Sequence, residues 1–122
     1  METRELFKRP KIKTQELISV IDGIRWEEVY GFSFNGSNFL LLLCTKEESE
    51  SEPASQGTEY HKSTLIDGWD IYALETLSGE DRRRRLFHEI LECNIKDQGF
   101  SQQIAHQTAL EEEQKKFGQR GK

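Results

Sequence analysis

Apolar and polar residues alternate along much of the first part of the chain, which is the pattern of half-buried β-strands. In the run IRWEEVYGFSF, one face carries Ile24, Trp26, Tyr30, Phe32 and Phe34, with Glu28 as an exception. The run from Phe39 to Cys44, FLLLLC, does not alternate, which indicates a central strand or one covered on both faces. In total the sequence predicts five strands, near residues 17–21, 24–34, 38–45, 61–66 and 69–75.

Three dipeptides that favour tight turns separate these runs. They are Asp22-Gly23, Asn35-Gly36 and Asp67-Gly68. Both central positions of a two-residue hairpin turn need positive φ, which these residue types adopt most readily. Each turn would pair the strands on either side of it, so the sequence predicts an antiparallel five-stranded meander.

The hydrophobic period changes to that of a helix near Ser78, which is placed to act as an N-cap. This helix is predicted to end near Lys96. A second helix is predicted to begin after Ser101 and to end at Gly118. The short connection makes the two helices antiparallel neighbours. The predicted fold class is therefore α+β, in which the meander is followed by a C-terminal helical hairpin packed on one face of the sheet.

The chain has 122 residues, enough for one ordinary domain. We interpret residues 1–13 as a basic N-terminal arm and residues 14–118 as a single α+β domain. Inside this domain the acidic, serine-rich stretch 46–59 is predicted to be a flexible loop, because it has too few apolar residues to join a core. Residues 119–122 are predicted to be a disordered tail.

Charge and cysteine content narrow the function classes. The net charge of −5 and the pI near 5.3 disfavour general binding to nucleic acid, whose phosphates would be repelled. The N-terminus lacks the apolar segment of a secretory signal, and no apolar run is long enough to span a bilayer. Cys44 and Cys93 are expected to be buried thiols in a reducing compartment. These features predict a cytoplasmic protein that does not insert into membranes.

Two of the three histidines suggest a metal site on the helical hairpin. His88 and Glu92 are four residues apart and point the same way from the first helix. His106 lies at a comparable height on the second helix, counted from the connecting loop at about 1.5 Å per residue. These three side chains could hold a divalent metal ion such as zinc and leave one position for water. Glu89 would then be the catalytic base that takes a proton from that water.

Ordinary helix-surface charges are the alternative interpretation of the same residues. Arg85 could pair with Glu89, and Glu92 with Lys96, each at a spacing of four. By helical angle, His88 and Glu92 also fall on the flank of the apolar stripe, which predicts a site at the rim of the hairpin. The third histidine, His61, is either an additional ligand or an ordinary strand residue.

Four consecutive arginines open the first helix of the hairpin, at Arg82, Arg83, Arg84 and Arg85. Positive charge at a helix N-terminus opposes the helix dipole, so this run calls for a negatively charged partner. The candidates are a phosphate of RNA or DNA, an acidic partner protein, or the acidic loop of the chain itself.

Residues 82–118 resemble the helical hairpin in C-terminal modules of some bacterial polymorphic (Rhs-type) toxins. The shared pattern is His-Glu-x-x-Glu, a gap ending in glycine, and then Ala-His-x-x-Ala. The matching residues are His88, Glu89, Glu92, Gly99, Ala105, His106 and Ala109. The resemblance implies that His88, Glu92 and His106 act together, in a metal-dependent hydrolase role. It covers about the last third of the chain and excludes the predicted sheet.

Three functional hypotheses follow. The first is a small cytosolic accessory module that binds a protein partner or forms a homodimer through its sheet, because two helices would leave many sheet aromatics partly uncovered. These aromatics are Trp26, Tyr30, Phe32, Phe34, Trp69 and Tyr72. The second is a metal-dependent hydrolase of the zinc type, with its site on the hairpin. The third is nucleic-acid binding through the arginine run.

Overall fold

The computed structural model describes residues 9–45 and 57–118. Within these residues the chain forms three helices and four strands. In chain order they are α1 (Thr14–Asp22), β1 (Val29–Phe34), β2 (Ser37–Cys44), β3 (Thr58–Lys62), β4 (Trp69–Leu74), α2 (Gly79–Asp97) and α3 (Gln102–Phe117). The predicted arm residues 1–8, most of the predicted acidic loop (46–56) and the predicted tail (119–122) lie outside the described residues.

The sheet is mixed, and its strand order is β1-β2-β4-β3. Two hairpins, β1–β2 and β3–β4, are antiparallel, whereas the central strands β2 and β4 are parallel. The α+β class is therefore correct, but the prediction of an antiparallel five-stranded meander is wrong. A meander needs each strand to lie beside the next one in the chain. Here β2 does not lie beside β3, the next strand in the chain. Its neighbour is β4, and β3 lies at the edge of the sheet.

The predicted first strand, residues 17–21, is helical. Leu17 and Ile21 are four residues apart and both are buried on the same side of α1. A short apolar run such as LISVI fits either a strand or one face of a helix, and here the helix is formed. Gly23 ends α1 with φ at −92°, so Asp22-Gly23 is a helix terminus rather than a hairpin turn.

Of the three predicted hairpin turns, Asn35-Gly36 is confirmed. Both residues have positive φ, 50° and 87°, and the turn joins Phe34 to its cross-strand partner Ser37. The strand before it is shorter than predicted, because β1 begins only at Val29. Residues 24–28 connect α1 to the sheet instead.

The second hairpin also differs from the prediction. β3 covers residues 58–62 instead of 61–66, so residues 58 and 59, assigned above to the acidic loop, are part of the sheet. Asp67-Gly68 belongs to a longer connection, residues 63–68, between β3 and β4. Within this connection the Ser63 hydroxyl accepts the backbone N–H groups of Leu65 and Ile66, which holds a wider turn together.

The predicted helical hairpin is present as α2 and α3. The Ser101 hydroxyl accepts the Ile104 N–H at 3.2 Å and caps α3, as expected. Ser78 lies at the N-cap of α2, but its side chain makes no capping hydrogen bond. The Lys11 backbone N–H donates to Gln98 Oε1, and Gln98 Nε2 donates to the Lys11 carbonyl. These two hydrogen bonds tie the described part of the basic arm to the end of α2.

The hydrophobic core lies between the helices and one face of the sheet. Alternate residues of the central strands point into it, together with the apolar stripe of α2. The main strand contributors are Phe39, Leu41, Trp69, Ile71 and Ala73, and those of α2 are Leu86, Phe87, Ile90 and Leu91. None of the described helices has both the length and the apolarity required to cross a bilayer.

Candidate metal centre

His88, Glu92 and His106 converge at the interface of α2 and α3. Each offers one ligand atom, and these atoms lie within 4.8 Å of one another. His88 Nε2 is 3.0 Å from Glu92 Oε1, and His106 Nδ1 is 3.1 Å from the same oxygen. Ligands of a tetrahedral zinc ion, with bonds of about 2.0–2.2 Å, are separated by about 3.4 Å. Small side-chain adjustments would therefore place all three around one ion.

The second nitrogen of the His88 ring is held by a buried carboxylate. His88 Nδ1 lies 2.9 Å from Glu113 Oε1, and Glu113 is fully buried on α3. Arg84 donates from its Nε to the other Glu113 oxygen and so compensates the buried charge. Metal-bound histidines commonly donate their second N–H to a carboxylate, which fixes the tautomer and orients the free nitrogen toward the ion. Here that arrangement directs His88 Nε2 toward Glu92 and His106.

Hydrogen bonds to the second carboxylate oxygen of Glu92 hold this side chain in place as well. Its Oε2 accepts the Tyr60 hydroxyl at 2.6 Å and the amide N–H of Gln102. Burial by itself would raise the pKa of Glu92, but the hydrogen bonds from the two histidines, Tyr60 and Gln102 together lower it to about 2. The group is therefore a carboxylate at neutral pH, with Oε1 facing both imidazoles.

The surroundings of His88 favour positive charge. Burial acts to lower its pKa, yet the hydrogen bond to Glu92 and the nearby charges of Glu89, Glu92 and Glu113 raise the pKa above its ordinary value. The field that stabilises an imidazolium would equally stabilise a divalent cation bound to the neutral ring.

The cluster opens into a cleft of about 420 Å³. It is lined by Thr58, Glu59, Tyr60, His88, Glu89, Glu92, Gln102 and His106. His106 is its most open ligand, with 56% of its side chain exposed. Glu89 accepts the Thr58 hydroxyl at 3.0 Å, and burial is the main cause that raises the pKa of its carboxyl group. A carboxylate with a raised pKa beside an open ligand position suits a general base.

The charge pairs of the alternative interpretation are replaced by others. Arg85 pairs with Asp81 at 3.1 Å, not with Glu89, and the Lys96 ammonium donates to Gln102 Oε1 at 2.7 Å, not to Glu92. The predicted position at a rim also differs from the structure. His88 and Glu92 are 8% and 3% exposed, because β3 lies beside them and Tyr60 reaches across to Glu92.

The arginine run makes its contacts within the chain. Three of its members pair with carboxylates: Arg83 with Asp22, Arg84 with Glu113 and Arg85 with Asp81. Arg82 donates to the Leu77 carbonyl and lies 4.1 Å above the centre of the Trp26 ring. Each arginine of the run therefore has a partner among the described residues, and binding of a phosphate by the run stays a prediction. The acidic loop considered as its partner lies mainly outside the described residues.

The structure does not bring His61 to the cluster. Neighbouring residues of a strand point to opposite faces of the sheet, and it is Tyr60 that points to the helices. His61 lies on the other face, where its ring contacts Tyr72 at 5.8 Å and its Nε2 is 3.5 Å from Glu59.

Tyr60, Gln102 and Glu113 are the site residues missing from the sequence-based hypothesis. Glu113 had a detectable signal: it continues the four-residue spacing of Ala105 and Ala109, the inner stripe of α3, and all three are buried. A glutamate in such a stripe needs a buried cationic or histidine partner. No comparable signal marks Tyr60, because its place depends on the strand order.

Comparison of the chain with protein-family models, with curated proteins and with solved structures finds no match. The resemblance of residues 82–118 to toxin modules therefore stays a prediction.

Proposed function

We propose that this protein binds one divalent metal ion of the zinc type through His88, Glu92 and His106. The observation that carries the proposal is the convergence of the three ligand atoms within 4.8 Å. Two imidazoles and one carboxylate match the ligand types of zinc sites that keep an open position for catalysis. The buried Glu113 orients His88 and the half-buried Tyr60 orients Glu92, as expected for a site preorganised for an ion.

The proposed activity is hydrolysis. A water molecule at the open position would be acidified by the ion, and Glu89, which lines the same cleft, would take its proton. Burial raises the pKa of Glu89 and so brings the group closer to the operating pH of a general base.

The test is the metal content of the full-length protein, purified without chelator and without a histidine tag. We expect close to one zinc, manganese or iron ion per chain and its loss in the His88→Ala, His106→Ala double variant. His61→Ala is the matched control, because His61 lies on the opposite face of the sheet and should leave the metal content unchanged. A metal-free protein whose thermal stability does not respond to added zinc would refute the proposal.

A second candidate function is self-association through the sheet face that points away from the core. Among the described residues, this face carries Val29, which is 57% exposed, and the half-buried Leu40 and Leu42. Apolar surface of this kind is typical of contact sites. Light scattering on the intact protein would reveal a dimer. Leu42→Glu should convert it to a monomer, while Leu65→Glu, in the β3–β4 connection, should not.

We place this activity in a reducing compartment such as the cytosol. Cys44 and Cys93 are both buried, and burial strongly raises the pKa of the Cys93 thiol, so this residue serves packing rather than redox chemistry. Fractionation of cells that produce the protein would test this location, and recovery in an oxidising compartment would contradict it.

A further inference from the structure

The cleft beside the candidate metal centre is bordered by an edge strand. β3 is the last strand in the order β1-β2-β4-β3, and three of its consecutive residues, 58–60, line the cleft together with the metal cluster. A strand at the edge of a sheet presents backbone N–H and C=O groups that can pair with another extended chain. The metal cluster therefore adjoins a surface suited to a peptide backbone.

The backbone N–H and C=O groups of Thr58 and Tyr60 point away from β4, toward the outer edge of β3. Leu74 donates its N–H to the Gly57 carbonyl, and Ser63 donates its N–H to the Gly68 carbonyl. Bonding toward a neighbouring antiparallel strand alternates along the chain, so residues 57, 59, 61 and 63 face β4. Residues 58, 60 and 62 consequently direct their N–H and C=O groups away from β4. Two of these three residues belong to the cleft.

The charges of the cleft disfavour phosphate esters. Its described lining contains Glu59, Glu89 and Glu92 but no lysine or arginine. Lys96 is close to this region, but its ammonium group donates to Gln102. Cationic side chains commonly hold the charged phosphate oxygens in phosphoryl transfer, whereas the carbonyl of a peptide substrate is uncharged when it binds.

We propose, on the basis of the metal-site function above, that the substrate is an extended peptide that pairs with β3 as an additional strand. At a strand spacing of about 4.8 Å, its backbone would run along the cleft and bring one carbonyl to the metal position. A water molecule gives a proton to Glu89, and its oxygen attacks the carbonyl carbon. The C–N bond then breaks, and Glu89 passes the proton to the leaving amine. One water is consumed, and a carboxylic acid and an amine are formed.

The test uses zinc-loaded, full-length protein and two probes. Oxidised insulin B chain serves as an unfolded peptide, and bis-(4-nitrophenyl) phosphate serves as a phosphodiester. We expect zinc-dependent cleavage of the peptide, detected by mass spectrometry, and no hydrolysis of the phosphodiester. If zinc binds but the peptide stays intact, or if only the phosphodiester is hydrolysed, the peptide proposal is overturned while the metal site stands. If no zinc binds, the proposed function itself fails.

Backbone pairing can be tested on the cleaved segment. Two peptide analogues carry one N-methyl group each, two or three residues before the cleaved bond, so that the methyl groups lie on opposite backbone edges. One analogue is blocked from pairing with β3 and the other is not. We expect kcat/KM to fall at least tenfold for one analogue and less than twofold for the other. Equal effects of the two methyl groups would overturn strand pairing.

Discussion

His88 Nδ1 lies 2.9 Å from a carboxylate oxygen of Glu113, a residue 25 positions later in the chain and fully buried. This contact links the candidate metal ligand to a buried negative charge that Arg84 also pairs with. It explains why a glutamate occupies the inner stripe of α3. The pair is an arrangement that a metal-binding histidine uses and an ordinary surface histidine does not need.

Glu113→Gln should weaken metal binding while leaving the three ligands in place. The neutral amide loses the charge that supports His88, so zinc affinity is expected to fall about 10- to 100-fold. Competition with a chromophoric zinc chelator measures this change. Glu112→Gln is the control, because the Glu112 carboxylate pairs with the exposed Lys115 at 3.3 Å and is not part of the metal cluster. Equal affinities of Glu113→Gln and the unaltered protein would contradict the assigned role.

The same Glu113→Gln substitution should also lower stability. It leaves the guanidinium of Arg84, only 12% exposed, without its ion-pair partner. Breaking a buried pair by removing one member costs about 3–5 kcal/mol. Urea denaturation of the metal-free protein measures this cost separately from metal binding. A loss below about 1 kcal/mol would indicate that the pair is effectively solvated.

Tyr60→Phe removes the hydroxyl that orients Glu92 and keeps the ring, which packs edge-on against Trp69 at 5.5 Å. A hydrogen bond to a charged group contributes about 1.5–3 kcal/mol, so the metal-free protein should lose stability of that order. Zinc affinity should fall as well, because Glu92 Oε1 is no longer held toward the imidazoles. Tyr30→Phe, which removes only a 3.4 Å contact to the Gly23 carbonyl, should change neither quantity.

Glu89→Gln should separate metal binding from catalysis. Glu89 lines the cleft but is not among the three ligands, so the variant should keep its zinc. Loss of a general base lowers kcat by about 10²- to 10⁴-fold, and the peptide cleavage assay should show this loss. Glu111→Gln, at an exposed position of α3, should retain full activity. Retained cleavage in Glu89→Gln would exclude Glu89 as the base.

Gly68→Ala tests the close approach between the β3–β4 connection and β2. A Cβ atom at residue 68 would lie 2.2 Å from the Asn38 carbonyl oxygen, and backbone at that distance has to move. We expect a loss of at least about 2 kcal/mol, typical of overpacking. Gly23→Ala is the control, since its Cβ would meet neighbours only at 3.5 Å and its φ of −92° suits alanine. Similar stabilities of the two variants would contradict the mixed sheet.

The parts of the fold that depend on local rules were predictable. The helical period, the Ser101 cap and the short connection define the α2–α3 hairpin and bring His88, Glu92 and His106 to similar heights. The Asn35-Gly36 turn was equally secure, because its positive φ angles need those residue types.

Non-local relationships were not predictable from the sequence. The LISVI run has no period that distinguishes a strand from a helix turn, and its burial against α2 makes it helical. The parallel pairing of β2 with β4 depends on which strand of the second hairpin lies beside β2. Tyr60 reaches Glu92 only because that strand order places β3 beside α2. The buried surroundings of the site therefore came from the tertiary structure.

The most direct test of the central claim is anomalous diffraction at the zinc edge from crystals of the zinc-loaded protein. We predict one peak at about 2.0–2.2 Å from His88 Nε2, His106 Nδ1 and a Glu92 oxygen, with the His88–Glu113 contact retained. No peak at this cluster, or a peak held by other residues, would contradict the account.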